Sequence, residues 1–214
     1  MTGPSEDHVR VPLVSRESAG PPGEALFDML ESERGIPTGY VFRILANCPD
    51  ILTAFIPMGN AVREASGLDP VLRELGIIAG MRELGADYEF AAHSQIALKV
   101  GVTPEQIIAI DDPDSELFTP LQRAVIAFAV EVTAAARVSD ATWQPVHEAL
   151  GDELTVALLF NIGWYNLVAR MTGPVGLTQD PGLEQIGESM GRILARTADT
   201  GQGSDGADHD EHKN

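Results

Sequence analysis

Helical periodicity is the feature of this sequence that most constrains its fold. Between the two chain ends, apolar residues recur at steps of three and four, and the breaks between these runs fall at Pro, Gly or Asp. This pattern predicts an all-α fold. The predicted helices cover about residues 23–33, 38–46, 50–66, 70–85, 87–100, 104–110, 118–136, 140–150, 152–171 and 182–196.

The two ends of the chain differ from this helical middle. Residues 1–24 contain four prolines among scattered glycines, which indicates an extended arm that lies on the body or on a neighbour. Residues 198–214 hold no apolar residue larger than alanine, and their five carboxylates face one lysine, so burial cannot offset the entropy of ordering them. Because 214 residues suit one domain, we predict an arm (1–24), a single helical domain (25–197) and a disordered acidic tail (198–214).

Charge and cysteine content exclude several classes of protein. Fourteen basic and 32 acidic residues give a net charge of −18, which repels nucleic acid and anionic lipid. No stretch reaches the ~18 uninterrupted apolar residues of a membrane helix, and the N-terminus lacks the order of a signal peptide. The single cysteine, Cys48, allows neither an intrachain disulfide nor a Cys-x-x-Cys pair. We therefore predict a cytoplasmic protein with no nucleic-acid or membrane partner and no thiol–disulfide cycling within one chain.

Three ionisable residues interrupt the apolar faces of two neighbouring predicted helices. Glu89 and His93 lie one turn apart at the start of a stripe that becomes apolar towards residue 100. On the preceding helix, Glu74 lies beside the apolar stripe rather than opposite it. Burying such groups without partners costs several kcal/mol, so they must either pair with one another or line a cavity that water or substrate can enter. Both outcomes bring Glu74, Glu89 and His93 together.

Two other interpretations fit the same spacing. A Glu and a His one turn apart are common on solvated helices, where Arg73, Arg82 or Lys99 would neutralise the carboxylates in an ordinary ion-pair network. Periodicity alone favours this network. A Glu and a His one turn apart can also both bind a metal ion, but a metal centre requires at least one more ligand from elsewhere. We predict no metal site.

Longer runs around these residues carry a family resemblance. They are RELGIIA from Arg73, ADYEFAAH from Ala86, ALKVGVTPEQI from Ala97 and GWYNLVAR from Gly163. Over roughly residues 49–171 the chain resembles the carboxymuconolactone decarboxylase family of the alkylhydroperoxidase D-like superfamily. The resemblance implies an alkylhydroperoxidase D-like helical bundle that assembles as a homotrimer or homohexamer.

The resemblance also bears on the chemistry. In the redox branch of the superfamily a Glu is followed by Cys-x-x-Cys-x-x-x-His, and alignment on His93 puts Ala86 and Glu89 at the two cysteine positions and Glu74 at the Glu position. The chain is therefore similar to the non-redox branch and is not expected to be a peroxidase. The remaining set of Glu74, Glu89 and His93 resembles the acid–base set of that branch, whose named member decarboxylates a lactone acid without a cofactor.

The function predicted from these observations is cofactor-independent carbon-acid chemistry. A Glu/His set can move a proton next to a carbonyl, as a decarboxylase, isomerase or dehydratase requires, on a small carboxylated or lactone substrate. The alternative is a catalytically silent helical protein of the same fold that binds a ligand or assembles. The predicted catalytic residues are Glu74, Glu89 and His93, and the predicted substrate-binding residues are Arg73 and Arg82 at the rim, Phe55 as an apolar wall, Tyr88 and Trp164.

Overall fold

A computed structural model describes residues 9–34, 39–112 and 114–177 of the chain. Every regular element in these ranges is helical, which confirms the all-α prediction. The predicted helix 182–196 and the acidic tail 198–214 lie outside the described residues. The helices are α1 (Gly20–Arg34), α2 (Tyr40–Leu45), α3 (Pro49–Asn60), α4 (Pro70–Leu84), α5 (Asp87–Val100), α6 (Pro104–Ile108), α7 (Pro120–Ala135) and α8 (Asp140–Val175).

The helix boundaries differ from the predicted ones in a few places. α1 begins at Gly20, three residues before the predicted start at residue 23. α3 continues into a π-helical turn over Ala61–Ala65, which accounts for its longer predicted span. Within α8, Gly151 has φ 71° and ψ 179°, a conformation that only glycine adopts readily. This break divides α8 into the two predicted segments.

Side-chain caps fix several helix starts. Thr103 accepts a hydrogen bond from the Gln106 backbone N–H, and the Gln106 side chain accepts one from the Thr103 N–H. The Ser139 hydroxyl caps α8 by accepting a hydrogen bond from the Thr142 backbone N–H. Asp69 caps α4 with one carboxylate oxygen. All three caps directly precede helix starts that the sequence predicted, at residues 70, 104 and 140.

α4 is the central helix of the bundle and packs against α5, α7 and α8. Two glycines let its neighbours approach closely. A Cβ atom added at Gly76 would lie 3.3 Å from Leu158 Cδ1, and one added at Gly80 would lie 2.9 Å from Thr133 Oγ1. This close packing leaves most of α4 buried, so Glu74 is held in the protein interior.

α8 is long and apolar enough to cross a membrane, judged by length and composition alone. In the structure, however, one face of α8 packs against α4 and α7 and is buried, including Leu158, Ile162 and Tyr165. A buried polar group, Thr172, lies on the same helix. These are the features of a core helix in a helical bundle.

The described part of the N-terminal arm lies on the helical body. The Arg10 backbone N–H donates a hydrogen bond of 2.9 Å to the carbonyl oxygen of Val175. The Arg43 guanidinium donates to the carbonyl oxygens of Leu13 and Val14, each at 3.1 Å. Residues 9–19 are thus attached to α2 and to the end of α8.

Candidate active site

A tight turn between α4 and α5 creates the candidate site. Gly85 ends α4 with a φ of 67°, the left-handed conformation that favours glycine. The Ala86 backbone N–H then donates a 2.9 Å hydrogen bond to the Met81 carbonyl oxygen, and α5 begins at the next residue. Because the chain reverses so sharply, the first turns of α5 lie back along α4. This reversal brings His93 to Glu74.

Glu74 and His93 form a buried hydrogen-bonded pair. His93 Nδ1 lies 2.8 Å from Glu74 Oε2, and the exposed fractions of the two residues are 7% and 1%. Arg73 Nε donates to the other oxygen of Glu74 at 3.0 Å. Arg73 Nη1 also donates to the backbone carbonyl oxygen of Arg63 at 2.6 Å. Both oxygens of Glu74 therefore face a donor, as a buried carboxylate requires.

The surroundings of Glu74 determine how His93 can act. Burial by itself raises the pKa of Glu74, but the hydrogen bonds and positive charges of His93 and Arg73 outweigh it and lower that pKa. Ionised Glu74 accepts a hydrogen bond from the Nδ1–H of His93, and the imidazole tautomer with its proton on Nδ1 carries its lone pair on Nε2. Tyr165 packs edge-on against the imidazole with the ring centres 4.2 Å apart, which holds the ring in place.

Glu89 is buried in a different environment, one turn before His93 on α5. Its exposed fraction is 3%, and its Oε1 accepts a hydrogen bond from Thr172 Oγ1 of α8. Burial raises the pKa of the Glu89 carboxyl, and the Thr172 hydrogen bond only partly opposes this. The two buried glutamates of the site are therefore shifted in opposite directions.

Glu89 and Thr172 line a cavity of about 580 Å³ between the α4–α5 turn and the end of α8. Arg170 is the one basic side chain among the described residues that line it, and it forms no ion pair with another described residue. Glu74 and His93 do not line this cavity. The other lining residues are Leu84, Gly85, Ala86, Asp87, Tyr88, Ala169, Gly173, Pro174 and Leu177.

The structure brings the three predicted catalytic residues into one buried region, in a different arrangement from the expected one. Glu74 and His93 touch each other, whereas Glu89 bonds to α8 and alone faces the cavity. The expectation of a solvated Glu/His pair is wrong for these residues, because all three are buried. The ion-pair expectation holds for Arg73, which bonds to Glu74.

The predicted substrate-binding residues are dispersed. Arg73 is occupied by Glu74 and the Arg63 carbonyl oxygen. Arg82 is exposed, bonds to Asp111 at 2.8 Å, and lines a separate cavity of about 540 Å³ on the other side of α4. Phe55 and Trp164 pack against each other with ring centres 4.5 Å apart. Of the five, only Tyr88 lines the Glu89 cavity.

Sequence reasoning missed two residues that shape this cavity, Thr172 and Arg170. The predicted helix 152–171 ended before Thr172, whereas α8 continues to Val175. The prediction therefore gave Thr172 no helical position relative to Glu89. A helical continuation puts it one turn after Val168, on the buried face. Among the described residues, no group of three or more His, Cys, Asp or Glu side chains could hold a metal ion.

Comparison with known proteins supports the family resemblance. Residues 49–141 match the model of the carboxymuconolactone decarboxylase family. No curated protein is significantly similar to the chain.

Solved structures share the fold at low sequence identity. The debrominase Bmp8, in a cysteine-to-alanine variant complexed with 2,3,4-tribromopyrrole, matches with a TM-score of 0.72 and 18% identity, over 85% of this chain and 99% of that chain. An uncharacterised peroxidase-related protein from Ralstonia eutropha JMP134, described as an alkylhydroperoxidase AhpD core, matches with a TM-score of 0.71 and 23% identity, over 84% of this chain and 96% of that chain. An uncharacterised peroxidase-related protein from Silicibacter sp. TM1040 matches with a TM-score of 0.69 and 18% identity, over 85% of this chain and 96% of that chain. The fold is thus the alkylhydroperoxidase D-like bundle that the resemblance implied.

Proposed function

We propose that this protein catalyses cofactor-independent acid–base chemistry at carbon, as a decarboxylase, isomerase or dehydratase, on a small carboxylated or lactone substrate. The observation that carries the proposal is the contrast between two buried glutamates: Glu74 is hydrogen-bonded to His93 and Arg73, whereas Glu89 is hydrogen-bonded to Thr172 beside the cavity. These environments shift the pKa values of the two carboxyl groups in opposite directions. Environments that separate the pKa values of two carboxyl groups are how one site obtains both an acid and a base. Here Glu74 holds the proposed base, His93, through a hydrogen bond, while Glu89 retains its proton to a higher pH than an ordinary glutamate does.

The proposed roles follow from these environments. In decarboxylation, the bond from the substrate's α-carbon to its carboxylate breaks, carbon dioxide leaves, and the electron pair stays behind as an enolate. Glu89 donates its proton to this enolate and regains one from water that enters the cavity. In isomerisation or dehydration, a proton must also be removed from carbon. We propose that His93, one turn after the cavity-lining Glu89 on α5, accepts it through a water molecule that enters the cavity, because His93 itself does not line the cavity. Glu74 orients His93 and stabilises the imidazolium that forms.

The cavity supports the proposed substrate class. A volume of about 580 Å³ suits a small molecule. The lining combines apolar surface with one arginine, Arg170, whose guanidinium can hold a carboxylate in a bidentate manner. We propose Arg170, rather than Arg73 or Arg82, as the anchor for the substrate's carboxylate, because those two are already bonded to Glu74 and Asp111.

The names of proteins that share the fold do not select the reaction. They include a debrominase and peroxidase-related proteins, and one fold hosts many chemistries. The second candidate is the catalytically silent binding or assembly protein. It is favoured by the fully bonded state of Glu74, since a satisfied buried network can serve structure alone.

A test of turnover separates these two candidates, because a silent binder would also bind acids. The protein is incubated without added cofactor with a panel of lactone acids and β-keto acids, and products are followed by mass spectrometry. We expect loss of carbon dioxide, isomerisation or loss of water from at least one compound. Absence of turnover across the panel, with compounds bound in the cavity, would favour the silent protein.

The proposed chemistry needs no thiol, which gives a prediction for Cys48. This cysteine is exposed and precedes α3, and the chain holds no second cysteine to resolve an oxidised thiol. We expect Cys48→Ser to leave turnover unchanged within twofold. Loss of activity in folded Cys48→Ser would contradict this prediction. Peroxide consumption by the unsubstituted protein that is lost in Cys48→Ser would contradict the proposal that the protein is not a peroxidase.

We further propose that the protein is a cytoplasmic homotrimer or homohexamer. Val156, Phe160 and Leu167 are each at least half exposed and follow one face of α8 at helical spacing. An apolar stripe of this kind is typical of a protein interface. We expect light scattering to give a mass of three or six chains, and Phe160→Glu to reduce it. A monomer at micromolar concentration would contradict the proposal.

A further inference from the structure

We propose that Thr172 is the positioning residue that allows Glu89 to hold and release a proton without moving its side chain. The proposal deepens the proposed function, in which Glu89 must exist in both states during each turnover. Its evidence is geometric, and it concerns one hydroxyl group that faces three acceptors.

The Thr172 hydroxyl lies near three hydrogen-bond acceptors but has only one hydrogen to donate. Its Oγ1 bonds to Glu89 Oε1 and lies 3.2 Å from the Val168 carbonyl oxygen and 3.3 Å from that of Ala169. A hydroxyl carries one hydrogen but can also accept. Only one of the three contacts can therefore be donated by Thr172 at a time, and rotation about one bond chooses among them.

Two hydrogen-bond arrangements follow, and each satisfies the buried carboxyl group. When Glu89 is ionised, Thr172 donates its hydrogen to the carboxylate. When Glu89 is protonated, its O–H donates to Thr172 Oγ1, and the Thr172 hydrogen turns to the carbonyl oxygen of Val168 or Ala169. In both, the heavy atoms stay where they are. A buried carboxyl group without such a partner pays a desolvation cost in either state.

None of the charged groups described around Glu89 can donate a hydrogen bond to its ionised form and accept one from its protonated form in this way. On α5 these are Asp87 and His93, which lie two residues before it and one turn after it. From α4 they are Glu74, which bonds to His93, and Arg73, which bonds to Glu74. From α8 the group is Arg170, which lines the same cavity as Glu89. Thr172 is the described side chain that bonds to the Glu89 carboxyl directly.

The first experiment measures the protonation of Glu89 without any substrate. Infrared titration of the carboxyl stretch, with the Glu89 band identified by its loss in Glu89→Gln, gives the midpoint in each variant. Thr172→Val removes the hydroxyl but keeps the shape, and we expect the midpoint to move to higher pH, because a hydrogen bond to the ionised form is stronger than one to the neutral form. Thr172→Ser should restore the original midpoint.

Thr155 supplies a matched control on the same helix. It is as buried as Thr172, but its hydroxyl has no hydrogen-bond partner among the described residues. Thr155→Val should therefore leave the Glu89 midpoint in place. If Thr172→Val does not fold, Thr172→Ala is used in the same titration. An unchanged midpoint without the hydroxyl, or an equal shift in Thr172→Ser, would overturn the proposal.

The second experiment separates this proposal from the proposed function. On any compound of the panel that is turned over, Thr172→Val should lower the rate by about tenfold and shift the pH–rate profile, while Thr172→Ser should retain both. If no compound is turned over but the titration responds as expected, the function fails and the role of Thr172 stands. If turnover is found and the pH–rate profile of Thr172→Val equals that of the unsubstituted protein, the proposed role of Thr172 is wrong.

Discussion

Replacing Glu89 with glutamine should lower turnover by ~10²–10⁴-fold while the protein stays folded, and replacing His93 with alanine should do the same for a reaction that removes a proton from carbon. Glutamine keeps the size of Glu89 and can still accept a hydrogen bond from Thr172, but it has no proton to deliver. Alanine at position 93 removes the proton acceptor that Glu74 orients. The measurement is the rate on a panel compound, with helical content checked by circular dichroism.

A matched control distinguishes loss of a proton-transfer group from a general effect of a Glu-to-Gln substitution. Glu83 is exposed on α4 and lines the separate cavity of about 540 Å³, so Glu83→Gln makes the same substitution without touching the site. We expect its rate to match that of the unsubstituted protein. Full activity in folded Glu89→Gln and His93→Ala would defeat the enzyme assignment and favour the silent binding protein.

The sequence predicted the helical fold because its signals are local. Apolar spacing fixes which residues are helical, and residues such as Thr103 and Gly151 mark where helices start and break. The burial of Glu74 beside an apolar stripe followed from the same spacing. Its pairing with His93 was one of the outcomes that burial allows, since two polar groups on neighbouring helices lower their desolvation cost by meeting.

The partners across the bundle could not be predicted in the same way. Arg73 and Arg82 are both arginines of α4, yet Arg73 bonds to Glu74 whereas Arg82 bonds to Asp111 after α6. Which cation meets which carboxylate depends on how α4 is rotated against its neighbours, and spacing within one helix carries no information about that rotation. The Glu89–Thr172 contact spans 83 residues and has the same cause.

The same Glu-to-Gln change should have opposite effects on stability at the two buried glutamates. Glu74 has a lowered pKa in the folded protein, so it stabilises the fold above its ordinary pKa, and this contribution is lost as the pH falls through the folded value. Glu89 has a raised pKa, so its contribution is present below its ordinary pKa and is lost as the pH rises through the folded value. At neutral pH the fold therefore gains from an ionised Glu74 and not from Glu89.

We accordingly expect Glu74→Gln to lower the free energy of unfolding at pH 7 by about 3 kcal/mol, because it leaves the guanidinium of Arg73 in a mostly buried position without its counter-charge. Glu89→Gln should cause no loss and a small gain, since a neutral amide replaces a carboxyl that resists ionisation. Urea unfolding of both variants at pH 7 and pH 4 measures this. The penalty of Glu74→Gln should be smaller at pH 4, because the unfolded chain then takes up a proton at Glu74 more readily than the folded protein does. Equal penalties for the two variants at pH 7 would show that the glutamates do not occupy the opposed environments on which the assignment of acid and base depends.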